Sequence, residues 1–182
     1  MTRKKNYVVI DIEMTCEEKR TENFVSEIIE IGMVFMSYDG KITKKEQIYV
    51  KPIHSEINDY CTSLTGITKD IIKEKGISYI DATRKMIKMG LKNKTILAWG
   101  EDNKQFIKES DLKDVICPIS DSFINLSLMH SMLLKTNKKY SLKEALNVWN
   151  IEPYGSLHSA VDDAYNTALV MQKMIQKFDN VI

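Results

Sequence analysis

The stretch Tyr7-Val8-Val9-Ile10-Asp11-Ile12-Glu13-Met14-Thr15-Cys16-Glu17-Glu18 runs from an apolar strand straight into a pair of carboxylates. Strand side chains alternate between faces, so Tyr7, Val9, Asp11 and Glu13 share one face and Val8, Ile10 and Ile12 the other. Two like charges on one face of a buried strand repel each other and are costly to desolvate. A positive charge must therefore sit beside them. Either a Lys or Arg makes a structural salt bridge there, or a divalent cation makes a catalytic centre.

Working outward from this strand, a polar loop covers Thr15 to Asn23, and Ser26 to Tyr38 reads as a long second strand. Asp39-Gly40 supplies a tight hairpin turn into a third strand, Lys41 to Val50. These strands make an antiparallel meander. Beyond them the spacing predicts a helix over Ile80 to Leu91, a short strand over Thr95 to Trp99, a helix over Asp102 to Glu109 and a strand over Ser122 to Leu126. Ser141-Leu142-Lys143-Glu144 has the pattern of a capping box, so a helix starts there. A last helix runs from about Ser159 to Phe178. A meander followed by β-α-β-α implies one α/β domain over residues 1–182, a mixed sheet with helices on both faces.

Composition sets few limits. A chain of 182 residues, 43% hydrophobic and 28% charged, is long enough to bury a core without staples. Its 26 basic and 25 acidic residues nearly cancel, which neither argues for nor excludes a nucleic-acid partner. Cys16, Cys61 and Cys117 are odd in number and lack C-x-x-C spacing, as expected in a reducing compartment without a zinc knuckle. No apolar run approaches the roughly 20 residues of a membrane span, and Met1-Thr2-Arg3-Lys4-Lys5 leads into the first strand with no signal-peptide core. The expected location is cytoplasmic.

The last helix tests the cation reading independently. Ala160, Ala164, Ala168, Met171, Ile175 and Phe178 recur every three or four residues and form one stripe toward the sheet. At about 100° per residue, Asp162 points away from that stripe toward solvent, and Asp163 lies on its boundary, able to enter a cleft. Both acids also suit a helix N-terminus on dipole grounds alone. His158 precedes the helix on an exposed segment; it is an ordinary loop histidine or a general base, since imidazole titrates near neutrality. Asp102 lies where a short strand gives way to a helix, the position at which sites gather in α/β sheets, with Glu101 as a competing acid.

D-x-E on the first strand, Asp102 after Trp99-Gly100, and H-x-A-x-x-D-A over His158 to Ala164 together resemble the DEDDh 3′–5′ exonucleases of the RNase H-like superfamily. Tyr49 to Asp70, centred on Ser63-Leu64-Thr65-Gly66-Ile67-Thr68, is similar to a segment of the subgroup that includes histone-mRNA 3′-end exoribonucleases and KapD-like bacterial exonucleases. The likeness covers nearly the whole chain. It implies an RNase H-like mixed five-stranded sheet and a two-metal centre using Mg²⁺ or Mn²⁺, hard cations that prefer carboxylate oxygens. Asp11, Glu13, Asp102 and Asp163 are its implied metal ligands and His158 its implied general base. The implied substrate is a single strand of RNA or DNA with a free 3′ end, RNA favoured, degraded to nucleoside 5′-monophosphates.

The same resemblance implies that Met14, Thr15, Leu64, Thr65 and Ile67 line the pocket for the terminal nucleotide. Apolar side chains there pack on a base without reading its identity. On the residues alone, Leu64 and Ile67 serve equally well as core under a helix. Two rival functions share the fold: a short-oligonucleotide ribonuclease, which a digestion ladder of dinucleotides against longer strands distinguishes, and a catalytically silent nucleic-acid-binding regulator. Retention of four acids and His158 speaks against the latter.

Overall fold

The computed structural model describes residues 6–19 and 21–179, so the start Met1–Lys5 lies outside the described residues. The first strand, β1 (Tyr7–Met14), is the centre of a five-stranded sheet. It pairs antiparallel with β2 (Ile28–Met36), which pairs antiparallel with β3 (Ile42–Tyr49). On its other side β1 pairs parallel with β4 (Thr95–Ala98), and β4 with β5 (Phe123–Asn125). The resulting order β3-β2-β1-β4-β5 is the expected meander followed by parallel strands. Gly40, at φ 81°, makes the hairpin turn. The edge strand β3 carries Lys44, Lys45 and Glu46, charges that discourage pairing with another chain.

The alternation along β1 divides the core. Val8, Ile10 and Ile12 pack with Tyr79, Ala82, Met86 and Phe106, from α3 (Tyr79–Lys88) and α4 (Asp102–Leu112). Val9 packs on the opposite face with Ala164, Ala168 and Met171 of α7 (Ala160–Asp179). The alanine stripe thus meets the sheet as its spacing predicts. Its far end does not: Phe178 is 38% exposed. Val170 and Met174, on another side of α7, are buried against Ala145 and Leu146 of α6 (Leu142–Val148), whose start has the expected capping box at Ser141 and Glu144.

Two short helices were not legible in the sequence. They are α1 (Asp59–Thr65), capped by the Asn58 side chain and ended by Gly66 at φ 72°, and α2 (Lys69–Lys75), capped by Thr68. They close one end of the sheet over Ile29, Ile57, Cys61, Ile67 and Ile72. A third, α5 (Leu126–Leu133), follows β5 directly behind an Asn125 cap. Among the described residues no helix is long and apolar enough to cross a membrane.

Candidate active site

Asp11 and Glu13 continue the α7-facing side of β1 beyond the point where alanines fill it. Across the β1–β2 pair, Asp11 faces Gly32 and Glu13 faces Glu30. A Cβ on Gly32 would lie 2.1 Å from the Ala160 carbonyl oxygen, so only glycine lets the start of α7 rest directly on β2. That contact delivers Asp163, in the first turn of α7, to the carboxylates of β1. One oxygen each of Glu13 and Asp163 and a ring nitrogen of His158 lie within 4.8 Å of one another. Asp102 arrives from the β4–α4 turn, where the neighbouring Trp99 is fixed by an indole hydrogen bond to the Tyr140 carbonyl at 2.9 Å.

Burial perturbs all four acids, and their acidic neighbours perturb Asp11 and Glu13 further. Burial raises the Asp11 carboxyl well above the ordinary range, and the charges of Asp102, Asp163, Glu13 and Glu30 raise it further. Burial, then Glu30, Asp163 and Asp102, push Glu13 up to about 8. Burial also lifts Asp102 to about 6 against hydrogen bonds from the Asp102 and Gly100 N–H groups. Asp163 is raised chiefly by burial. Among the described residues, no Lys or Arg forms a salt bridge with any of the four. Asp163 Oδ1 is buried without a hydrogen-bond partner, while Oδ2 accepts the His158 N–H at 3.0 Å. Of the two solutions open for a doubly charged strand end, the Lys or Arg partner is thus missing among the described residues. An unpartnered oxygen among converging carboxylates suits hard divalent cations such as Mg²⁺ or Mn²⁺.

A fifth carboxylate escaped the sequence reading. Glu30 is 1% exposed and accepts from Gln47 Nε2 at 2.7 Å and from the Val161 N–H at 3.4 Å, at the start of α7. Its partners sit on β3 and α7, so only the sheet register reveals that it faces Glu13. Asp162 is a correction. It does not point into solvent: it is half-buried, and its Oδ2 accepts the Ser156 N–H at 3.0 Å. The segment before α7 folds back over that side of the helix, which a helical projection cannot anticipate.

The residues expected to line a nucleotide pocket divide into two sets. Met14 is half-buried and Leu64 is 40% exposed, so both side chains reach the surface. Thr15 is fully buried; its hydroxyl accepts the Glu27 N–H at 2.9 Å and shares a hydrogen bond with Ser55 at 2.7 Å. Thr65 is turned inward, with its hydroxyl donating to the Cys61 carbonyl, and Ile67 is in the core. Cys61 Sγ lies 3.7 Å from the Met14 carbonyl, and Asn58 Nδ2 donates to the Cys16 carbonyl at 3.0 Å, which seats the α1 segment beside the end of β1.

A buried ionic network supports the same end of the sheet. Glu27 accepts the N–H groups of Ile53, His54 and Ser55 and an ion pair from Lys113 at 3.0 Å, and Lys113 also pairs with Glu109 at 2.6 Å. Burial alone would raise Glu27, but these donors outweigh it and hold the carboxyl at about 2. The loop carrying Ser55 is thereby tied to β2 and α4.

The profile of the RNase T exonuclease family matches residues 8–171. The 3′-5′ exoribonuclease 1 of Homo sapiens is 30% identical over 183 residues, an alignment covering 92% of this chain and 52% of that protein. The chain spans about half the length of the mammalian exoribonuclease 1 relatives it matches. Among solved structures, the nuclease domain of 3′hExo, a DEDDh family member bound to rAMP, superposes with a TM-score of 0.87 at 28% identity, covering 97% of this chain and 94% of that one. A 3′-exonuclease described with the histone mRNA stem-loop superposes at a TM-score of 0.82 and 26% identity, covering 95% and 64% respectively. With a family profile spanning nearly the whole chain and a DEDDh nuclease domain superposing on 97% of it, this chain belongs to the RNase T exonuclease family.

Proposed function

We propose that the chain, acting as one exonuclease domain, removes nucleotides one at a time from the 3′ end of single-stranded nucleic acid, RNA in preference to DNA. The observation that carries this reading is the convergence of Asp11, Glu13, Asp102 and Asp163 with no Lys or Arg salt bridge among the described residues and with a buried, unpartnered Asp163 oxygen. The preference for RNA is supported by the exoribonuclease name of the human relative. Free thiols at Cys16, Cys61 and Cys117 suit a reducing cytoplasm.

Asp11, Glu13, Asp102 and Asp163 would hold two Mg²⁺ or Mn²⁺ ions. When bound, such a pair supplies the positive charge that steadies the attacking and leaving oxygens of an in-line displacement. His158, exposed at the rim, takes a proton from the attacking water at a ring nitrogen. The water oxygen joins phosphorus as the bond to the 3′ oxygen breaks, and that oxygen takes up a proton from solvent. The terminal residue therefore leaves as a nucleoside 5′-monophosphate, and the shortened strand keeps a 3′ hydroxyl. Met14 and Leu64 offer accessible apolar surface to the terminal base, and Thr15, Thr65 and Ile67 hold the backbone beneath them.

Matched 5′-labelled RNA and DNA strands, with a circular strand as control, test this reading. The expected result is a ladder shortening from the 3′ end in Mg²⁺ or Mn²⁺, faster on RNA, with the circle intact. Full activity in excess EDTA, or equal cleavage of the circle, contradicts it.

A further inference from the structure

His158 sits on an exposed segment, and its ring is positioned only as well as its backbone is. Residues 152–158 are all exposed, a setting in which a loop ordinarily samples many conformations. A general base must instead stay within hydrogen-bond reach of the proton it takes. His158 also adopts φ 64°, a left-handed conformation unfavourable for a residue with a Cβ, so something must hold it there.

The holding groups come from α7. Asn166, fully buried, accepts the Tyr154 N–H at 2.8 Å and donates from Nδ2 to the Tyr154 carbonyl at 3.0 Å, a two-bond clamp on one peptide segment. Four residues earlier on the helix, and so on the same side, Asp162 accepts the Ser156 N–H at 3.0 Å. Gly155 lies against that carboxylate: a Cβ there would meet Asp162 Oδ2 at 2.1 Å, and its φ is 65°. From β3, Lys45 donates to the Tyr154 hydroxyl at 3.1 Å and lies 4.3 Å above the Tyr154 ring and 4.6 Å above that of Tyr165. The segment is thus fixed at residues 154 and 156, and the His158 N–H then reaches Asp163.

We infer that Asp162 and Asn166 are positioning residues that hold the 154–158 segment on α7 so that His158 stays poised over the site. The inference rests on the reading of His158 as general base. Asp162 then acts on turnover through His158 and not as a cation ligand, its Oδ2 being engaged with the Ser156 N–H.

The test is a double-mutant cycle on the intact protein, with single-strand turnover, Mn²⁺ titration and thermal denaturation read for each variant. Asp162→Ala is expected to lower kcat on the order of 10-fold, short of the about 10²–10⁴-fold cost of removing a general base. KM and the half-saturating Mn²⁺ concentration should stay near wild type. Asp162→Asn, which keeps an acceptor for the Ser156 N–H, should restore most of the rate. In a His158→Ala background, Asp162→Ala should cost nothing more. Gly155→Ala reaches the same segment from its other side and should reproduce the kcat loss, which keeps the test decisive if Asp162→Ala folds poorly. Equal losses from Asp162→Ala with and without His158 overturn the inference, as does wild-type kcat in both Asp162→Ala and Gly155→Ala while His158→Ala is impaired. Wild-type turnover in His158→Ala itself overturns the general-base reading, and the inference with it.

Discussion

Gly32 and Ala160 are in closer contact than any side chain on residue 32 would permit, because a Cβ there would lie 2.1 Å from the Ala160 carbonyl oxygen. Gly32 also faces Asp11 across the sheet. The first turn of the helix carrying Asp163 is therefore seated directly beside the strand carrying Asp11 and Glu13. Gly32→Ala must push α7 outward or distort β2. Overpacking of this kind typically costs about 1–3 kcal/mol, and displaced carboxylates cost rate as well on the proposed reading. The variant is expected to lose both thermal stability and most of its turnover. A variant with wild-type kcat in Mg²⁺ would show that the site does not depend on this contact.

The raised carboxyls give the EDTA-treated protein an unusual pH dependence. Glu13 is held at about 8 against 4.5, and Asp102 at about 6 against 3.8. Between the unfolded and folded values, the native state binds more protons than the unfolded chain. Stability therefore falls as pH rises through that window. Glu27 works in the opposite sense, its contribution being present above 4.5 and lost as pH falls toward about 2. In EDTA, Tm should decline from about pH 5 to pH 8, and Mn²⁺ should restore it most at the alkaline end. A Tm that rises across this range in EDTA would contradict the electrostatics described for the site.

Lys113 joins Glu27 and Glu109 with side chains 8%, 2% and 2% exposed. Lys113→Met leaves two buried carboxylates without their cation, and breaking a buried pair in this way costs about 3–5 kcal/mol. Chemical denaturation should show that loss. An unfolding free energy within about 1 kcal/mol of wild type would mean that the backbone donors to Glu27 suffice alone.

How much of this was legible beforehand follows physical lines. The alternation of β1 is local, so Asp11 and Glu13 could be assigned to one face from the chain alone, and the alanine stripe could be assigned to the sheet. The capping box at Ser141 is equally local. The helices Asp59–Thr65 and Lys69–Lys75 are each too short for a 3.6-residue period to stand out, although Asn58 and Thr68 are good N-caps in retrospect. Glu30 could be recognised only once β2 was in register with β1. Asp162 was misjudged because the phase of a helix says where a side chain points, not which loop returns to cover it.

His158 is exposed, with a ring nitrogen within 4.8 Å of carboxylate oxygens from Glu13 and Asp163. His158→Ala is expected to cut kcat by about 10²–10⁴-fold while leaving the half-saturating Mn²⁺ concentration near wild type. Wild-type turnover would demote His158 to an ordinary loop histidine. Recovery of the full rate at high Mn²⁺ would make it a cation ligand instead.

The cluster of Asp11, Glu13, Asp102 and Asp163 is tested most directly by calorimetric titration of Mn²⁺ into the protein with a nucleoside 5′-monophosphate present, for wild type and Asp11→Asn. The Asp11 carboxyl is raised by burial and then by the charges of Asp102, Asp163, Glu13 and Glu30. The expected result is about two ions bound per wild-type chain, with binding greatly weakened in Asp11→Asn. Binding of Mn²⁺ that Asp11→Asn leaves unchanged, or no binding by the wild-type chain, would contradict the assignment of these carboxylates as the metal centre.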